Sequence, residues 1–78
     1  MDTTQYIEIN PKIMMGKPVI KGTRITVEQI LEQLSVSKSI EDVLDSHPHL
    51  TIDKIHAALA FAAEFIRGEL PFLYNFCL

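Results

Sequence analysis

Residues 51–68 constrain the fold most, because they predict one long helix that is apolar on more than one side. Thr51 is suited to cap the start of this helix, and Gly68 is suited to end it. Its apolar side chains form a first line with ordinary core spacing, Ile52, Ile55, Leu59, Ala62 and Ile66, and a second line, Ala58, Phe61 and Phe65. The strip compatible with water comprises Asp53, His56, Ala57, Ala60, Glu64 and Arg67. Two short helices cannot cover such a helix, so we expect a second subunit to cover the rest.

Two shorter helices and an extended start precede this segment. Thr26 and Gln29 have capping-box spacing, and Ser39 precedes acidic residues, so helices are predicted to follow Thr26 and Ser39. Upstream, the alternation at residues 6–9 and a β-branched pair at 19–20 predict two short strands joined through residues 10–17. The predicted fold is therefore mainly α. It is a three-helix, helix-turn-helix-like domain over residues 1–68 with a short N-terminal β-hairpin, and an apolar tail follows over residues 69–78.

Chain length limits how this domain can be stabilised. With 78 residues it buries only about 60% of the surface that its unfolded chain exposes. A single cysteine excludes an internal disulfide framework, so oligomerisation is the expected remedy. We predict a homodimer whose interface comprises Ala58, Phe61, Ala62 and Phe65. The sequence has no run long enough to span a bilayer and no signal-peptide pattern at its start, so we expect a cytoplasmic protein without membrane contact.

Charge is distributed unevenly along the chain. Residues 10–27 carry four cations and no acid, whereas residues 28–78 carry eight acids against three cations. The net charge of −3 argues against a chain that coats nucleic acid over its whole surface. If nucleic acid is bound, Lys17, Lys21 and Arg24 are the predicted phosphate contacts. The alternative is that the lysines only solvate an edge strand and that Arg24 bonds an acid of the helices.

The sequence contains no pattern typical of a catalytic centre. His47 is interpreted as a partly buried packing residue and His49 as a turn residue, because Pro48 restricts their approach to a common metal. Cys77 has no rigid neighbouring base that would make it a nucleophile. We therefore predict no enzyme activity, no cofactor and no metal.

The tail is the most apolar stretch that lacks a helical period. Its predicted partner-binding residues are Phe72, Leu73, Tyr74 and Phe76. In this interpretation the tail lies extended in a groove on a partner protein. The alternative, which the sequence leaves open, is that the tail folds back over the dimer seam and completes the core.

Residues 16–27, Gly-Lys-Pro-Val-Ile-Lys-Gly-Thr-Arg-Ile-Thr-Val, resemble the signature of domain of unknown function 433, a family of short prokaryotic proteins. Residues 39–44 and 47–51 are similar to the middle of that family, although its usual inter-helix glycine is absent and His47 replaces an aromatic residue. The resemblance covers roughly residues 6–66. It implies a homeodomain-like three-helix fold with an N-terminal β element. Some members are VapB-like antitoxins whose partners are PIN-type ribonucleases.

The expected function follows from this resemblance together with the residue patterns. We expect an antitoxin-type regulator that binds and neutralises a cognate PIN-like ribonuclease and also contacts operator DNA. In that case residues 17–24 face the nucleic acid and the tail binds the partner. The alternative is a protein-interaction module of unknown partner without DNA binding, which acts through its acidic helices and apolar tail.

Overall fold

A short antiparallel hairpin lies in front of three helices, as the sequence predicts. The computed structural model describes residues 2–36 and 38–68. The strands are β1 (Ile7–Glu8) and β2 (Val19–Ile20), and the helices are α1 (Val27–Ser35), α2 (Ile40–Ser46) and α3 (Ile52–Arg67). Short 3-10 segments, Thr3–Gln5 and Met14–Gly16, lie before β1 and between the strands. The mainly helical class is confirmed, while the helix-turn-helix likeness and the dimer stay predictions.

Each helix begins after the capping residue that the sequence indicates. At α1 the hydroxyl of Thr26 accepts from the backbone N–H of Gln29 at 3.0 Å, and the Gln29 side chain accepts from the Thr26 N–H at 2.9 Å. Ser39 and Asp42 form a second reciprocal pair at α2, with both bonds 3.1 Å long. The Thr51 hydroxyl accepts a backbone N–H of the first turn of α3 at 3.3 Å. These bonds satisfy N–H groups that have no partner within the helix.

A tight turn of residues 20–25, called the corner below, leads from β2 into α1. Gly22 adopts a φ of 78°, a left-handed conformation that glycine enters without steric penalty. The Thr23 hydroxyl donates to the carbonyl of Ile20 at 2.8 Å and accepts from the N–H of Ile25 at 3.0 Å. The first N–H of α1 donates to the carbonyl of Pro18 at 2.9 Å. The hairpin and the start of α1 are therefore one hydrogen-bonded unit.

The core lies where the hairpin, α1, α2 and α3 meet. Its buried side chains are Ile7, Val19, Ile20, Val27, Ile30, Val43, Leu50, Ile55, Ala57, Ala58 and Phe61. The strands contribute through the register pairs Ile7 with Ile20 and Glu8 with Val19. Both strands and all three helices contribute at least one buried apolar residue, so these elements share a single core.

The buried face of α3 differs from the predicted one. Ile52, Leu59 and Ile66 were expected in the core, but their side chains are 50%, 37% and 84% exposed. Ala57, which was expected to face water, is fully buried. Ala57 and Ala58 point into the core instead, because small side chains let neighbouring elements approach the helix closely.

A contact made by the first 3-10 segment explains why the face of α3 that carries Ala57 is buried. Thr3 is buried, and its hydroxyl donates to a carboxylate oxygen of Glu64 at 3.3 Å. The first 3-10 segment thus packs on the side of α3 that carries Ala57. This contact joins residues far apart in sequence, so helical periodicity alone does not predict it. At the other end, Gly68 stops α3 in a left-handed conformation, as predicted.

Candidate functional site

An open apolar groove lies between the strand connection, α1 and the last turns of α3. Its volume is about 490 Å³. The lining residues are Ile9, Met15, Gly16, Lys17, Pro18, Val27, Glu28, Leu31, Phe61, Ala62, Phe65 and Ile66. Met15 and Ile66 expose 88% and 84% of their surface, and Phe65 is half-exposed. Such a continuous apolar surface is typical of a site that receives another apolar ligand or chain.

The charged groups in the groove lining form one ion pair at its edge. The ammonium of Lys17 lies 3.0 Å from a carboxylate oxygen of Glu28, and both side chains are about half exposed. Such an exposed pair contributes little to stability. It leaves the groove apolar inside and gives its edge one cation and one anion. Lys17, a predicted phosphate contact, is thus placed beside the apolar groove.

The backbone at the edge of the groove is strained. Met14 and Met15 have φ values of 48° and 58°, which lie in the left-handed region that side chains with a Cβ rarely adopt. Each such residue costs roughly 1 kcal/mol relative to an ordinary conformation. The strained turn holds the Met15 side chain in water beside the groove. Strain of this kind is concentrated at functional sites.

A second concavity, called the basic cleft below, lies between the corner and the α2–α3 turn. Its volume is about 510 Å³. The lining residues are Lys21, Gly22, Thr23, Ile25, Ser46, His47, Pro48, His49 and Lys54. They include two lysines and two histidines but no carboxylate. An anionic ligand is therefore the chemistry that suits this cleft.

The two lysines of the basic cleft have different surroundings. The Lys54 ammonium donates to the backbone carbonyl of His49 at 3.2 Å, which holds it beside the α2–α3 turn. The carboxylate of Asp2 lies close enough to Lys21 to interact electrostatically. Hydrogen bonds from the side chain and backbone of Thr4 are the main cause that holds the pKa of Asp2 below its ordinary value. This acid offsets part of the positive charge of Lys21.

Sequence reasoning missed Lys54 because it considered charge runs along the chain. Lys54 lies within the acidic two thirds of the sequence, far from the basic segment that contains Lys21. The Thr51 cap is the sequence signal that could have revealed its position. A helix that begins after Thr51 places Lys54 in its first turn, beside the turn that precedes the helix.

His47 and His49 occupy the places that were predicted for them. His47 is half-buried after the last turn of α2, and its Nε2 lies 3.1 Å from the side-chain nitrogen of Gln33. His49 is exposed in the turn before α3. Within residues 2–36 and 38–68, no three or more His, Cys, Asp or Glu side chains are grouped so that they could hold a metal ion.

The other predicted site residues do not form one site: they lie on the surface, in the core or in the apolar groove. Arg24 is exposed and makes no ion pair with the described residues, so the bond to a helix acid that was its structural alternative is not formed there. Ala58 and Phe61 lie in the core of the chain itself. Ala62 and Phe65 line the apolar groove, and the Phe65 ring stacks at 6.4 Å on the ring of Phe61.

The partner-binding residues that the sequence predicts lie outside the described residues. They are Phe72, Leu73, Tyr74 and Phe76. For the described part, residues 2–36 and 38–68, no helix combines the length and the hydropathy that a membrane crossing needs.

The fold is a small three-helix domain with an N-terminal hairpin. Sequence comparison assigns the chain to a family. The chain belongs to the family described as "Protein of unknown function (DUF433)", which matches residues 7–62. An uncharacterized protein of Sinorhizobium fredii, y4eO, is 32% identical over 66 residues. The match covers 83% of this chain and 30% of that protein, so the chain spans less than a third of its relative. No solved structure matches the chain significantly.

Proposed function

We propose that this protein is a regulator of the antitoxin type, which binds and neutralises a PIN-like ribonuclease through the apolar groove. The observation that carries the proposal is the exposed apolar surface at Met15, Phe65 and Ile66. A folded domain gains nothing in its own stability from keeping this surface in water. Contact with a partner protein would bury it and would yield favourable free energy.

The geometry of the groove favours a protein segment as its ligand. The apolar interior matches the apolar side chains of a helix or an extended segment. The ion pair of Lys17 and Glu28 lies at the edge, where polar groups of a partner could fix its orientation. The choice of a ribonuclease as partner rests on the similarity of residues 16–27 to family members that act as antitoxins.

The proposal includes two further partners. The protein is a cytoplasmic homodimer in this account, and operator DNA is its second ligand. The basic cleft supports the DNA ligand, because Lys21 and Lys54 both line one concavity. A competing proposal, an interaction module without DNA binding, is supported by the acidic first turn of α2, with Glu41 and Asp42.

Inhibition of RNA cleavage tests the groove proposal. Each PIN-like ribonuclease encoded in the host genome is purified, and its cleavage of a fluorescent RNA is measured with and without this protein. We expect one of these enzymes to be inhibited. Phe65→Ser should weaken the inhibition by about tenfold or more, because a central aromatic contact is lost. Val36→Ser removes an exposed apolar side chain outside the groove and should leave inhibition unchanged.

Two outcomes would overturn the proposal. One is that the wild-type protein inhibits none of the ribonucleases. The other is that Phe65→Ser, shown by circular dichroism to be folded, inhibits as well as the wild type does. In the second case the inhibitory contact lies elsewhere on the protein.

A further inference from the structure

The basic cleft brings two ammonium groups and two imidazoles to one concavity. Lys21 lies in the corner and Lys54 in the first turn of α3, while His47 and His49 lie in the chain between α2 and α3. No lining residue carries a carboxylate. A concave surface with low-dielectric walls focuses the field of its charges, so it attracts an anion more strongly than an open surface does.

The acids near the basic cleft do not line it. Asp2 interacts with Lys21 and offsets part of its charge. Asp45, on α2, and Asp53, on α3, are exposed, and neither belongs to the lining. The lining therefore keeps an excess of positive charge, to which the imidazoles add when they are protonated.

Hydrogen bonds fix the part of the cleft that α3 and the preceding turn form. The Lys54 ammonium uses one of its three N–H donors on the carbonyl of His49, at 3.2 Å, and keeps two for a ligand. The N–H of Leu50 donates to the carbonyl of His47 at 2.9 Å and closes the turn, in which Pro48 has a restricted φ. A ligand therefore does not have to order this turn at a cost in entropy.

Gln33 of α1 holds the ring of His47. Its side-chain nitrogen lies 3.1 Å from Nε2, so in the neutral ring Nε2 accepts and the proton is on Nδ1. The Oε1 atom of Gln33 is buried and has no hydrogen-bond partner among the described residues. A half-turn of the amide exchanges one buried unpartnered atom for another and lets Oε1 accept from Nε2–H of a protonated ring. The ring can thus gain a proton and keep its partner.

Protonation of the imidazoles adds charge beside the lysines. Histidine is the side chain whose charge ordinarily changes between about pH 5 and pH 8. An anion in the cleft stabilises the imidazolium, and protonation in turn strengthens the binding of the anion by the same factor. The affinity of the cleft for an anion should therefore rise as the pH falls through this range.

We propose that the basic cleft binds an oxyanion of the phosphate type, with Lys21 and Lys54 as its permanent cations and His47 as a contact that depends on pH. A phosphate group has several strong acceptor oxygens, which suit N–H donors that come from separate elements. The inference rests on the proposed function only for the source of this group, a phosphodiester of operator DNA. A free phosphate ester has the same chemistry.

NMR of the imidazole rings in the full chain tests the site. The chain has three histidines, and the exposed His56 on α3 does not line the cleft, so it is an internal control. The ring C–H resonances are followed from about pH 5 to pH 8 in sodium chloride and in sodium sulfate of equal ionic strength. Sulfate is the probe because it is tetrahedral and does not titrate in this range. We expect it to raise the titration midpoint of His47 by about one pH unit, which corresponds to about tenfold tighter binding to the charged ring. The midpoint of His56 should stay unchanged.

Two lysine variants test which cations hold the anion. Lys54→Gln should weaken sulfate binding by about tenfold, the usual effect of a lost hydrogen bond to a charged group. Lys38→Gln removes an exposed lysine outside the cleft and should leave sulfate binding unchanged. Circular dichroism checks that both variants are folded. Equal sulfate shifts at His47 and His56, or equal weakening by the two variants, would overturn the inference.

A duplex and a free nucleotide identify the source of the phosphate group. The duplex from upstream of the gene and adenosine monophosphate are added separately at equal phosphate concentration. Movement of the His47 resonance with the duplex alone supports operator DNA, and movement with the nucleotide as well supports a free phosphate ester. If the duplex binds, as measured by fluorescence anisotropy, but no probe moves His47, the oxyanion site is overturned and operator binding is retained. If sulfate moves His47 and the duplex does not bind, the DNA ligand of the proposed function fails and the oxyanion site stands.

Discussion

Met15 combines two features that are unfavourable for folding. Its backbone is left-handed, with a φ of 58° and a ψ of 31°, and its side chain is almost fully exposed. Neither feature contributes to the core. The left-handed backbone places the exposed Met15 side chain at the edge of the apolar groove, where a bound segment would cover it. Local conflicts of this kind are expected where a sequence serves binding rather than stability.

Substitution of Met15 should therefore separate stability from binding. Asn tolerates the left-handed region better than Met, so Met15→Asn should raise the free energy of unfolding by about 0.5–1 kcal/mol. Urea denaturation measures this change. The same variant should inhibit the ribonuclease less well, because the groove loses an apolar contact. Val36→Asn replaces an exposed side chain without a left-handed backbone, and it should change stability by less than about 0.5 kcal/mol. Loss of stability in Met15→Asn would contradict the strain argument.

Among the helices, α1 has the most buried cap. Thr26 is 2% exposed and pairs reciprocally with Gln29, whereas the equivalent Ser39 at α2 is exposed. A buried N–H or side chain that loses its partner cannot recover the hydrogen bond from water. The start of α1 should therefore depend on its cap more strongly than the start of α2.

Replacement of the two caps tests this difference. Thr26→Ala should lower the free energy of unfolding by about 1–2 kcal/mol, and Ser39→Ala by about 0.5–1 kcal/mol. Urea denaturation with unchanged m-values is the measurement, because an altered m-value would indicate a changed denatured state. Equal losses for the two variants would show that burial of the cap does not matter here.

The sequence predicts the helix starts well but predicts the buried face of α3 poorly. A cap is a local pattern, and Thr26, Ser39 and Thr51 act within three residues of their own positions. The face of α3 depends on which of two apolar lines meets the hairpin and α1. That choice depends on contacts between distant parts of the sequence, such as the hydrogen bond from Thr3 to Glu64. Helical periodicity does not predict such contacts.

The candidate site could be predicted only in part. The basic segment was recognised from its charge, but the fold divides it, with Lys17 beside the apolar groove and Lys21 in the basic cleft. Lys54 joins Lys21 from a distant part of the sequence. The apolar groove depends on the left-handed turn at Met14 and Met15, which no glycine or asparagine indicates at those two positions.

At the scale of the whole molecule, the apolar groove and the basic cleft have no lining residue in common. A ligand at one surface therefore need not displace a ligand at the other. Within the proposed function, the protein could hold a ribonuclease and DNA together. The cations also divide between the surfaces, which makes their contributions to DNA binding separable.

The salt dependence of DNA binding tests this division. A labelled duplex from the region upstream of the gene is titrated at several salt concentrations, and fluorescence anisotropy reports binding. Lys21→Gln and Lys54→Gln should each reduce the slope of log K against log salt by about one unit. Lys17→Gln should change the slope less, because Lys17 is paired with Glu28. Equal effects of all three variants would contradict the cleft as the contact, and a lack of binding at low salt would favour the module without DNA binding.

The corner between β2 and α1 has a consequence for how relatives of this protein diverge. Its side-chain bonds, from the Thr23 hydroxyl to Ile20 and from Ile25 to Thr23, join residues only two or three positions apart. A relative that retains these residues also retains the local backbone conformation, but the residues do not determine which partner the protein binds. Residues such as Phe65 and Ile66 lie outside the corner. Relatives that share this corner can therefore differ in the partners they bind.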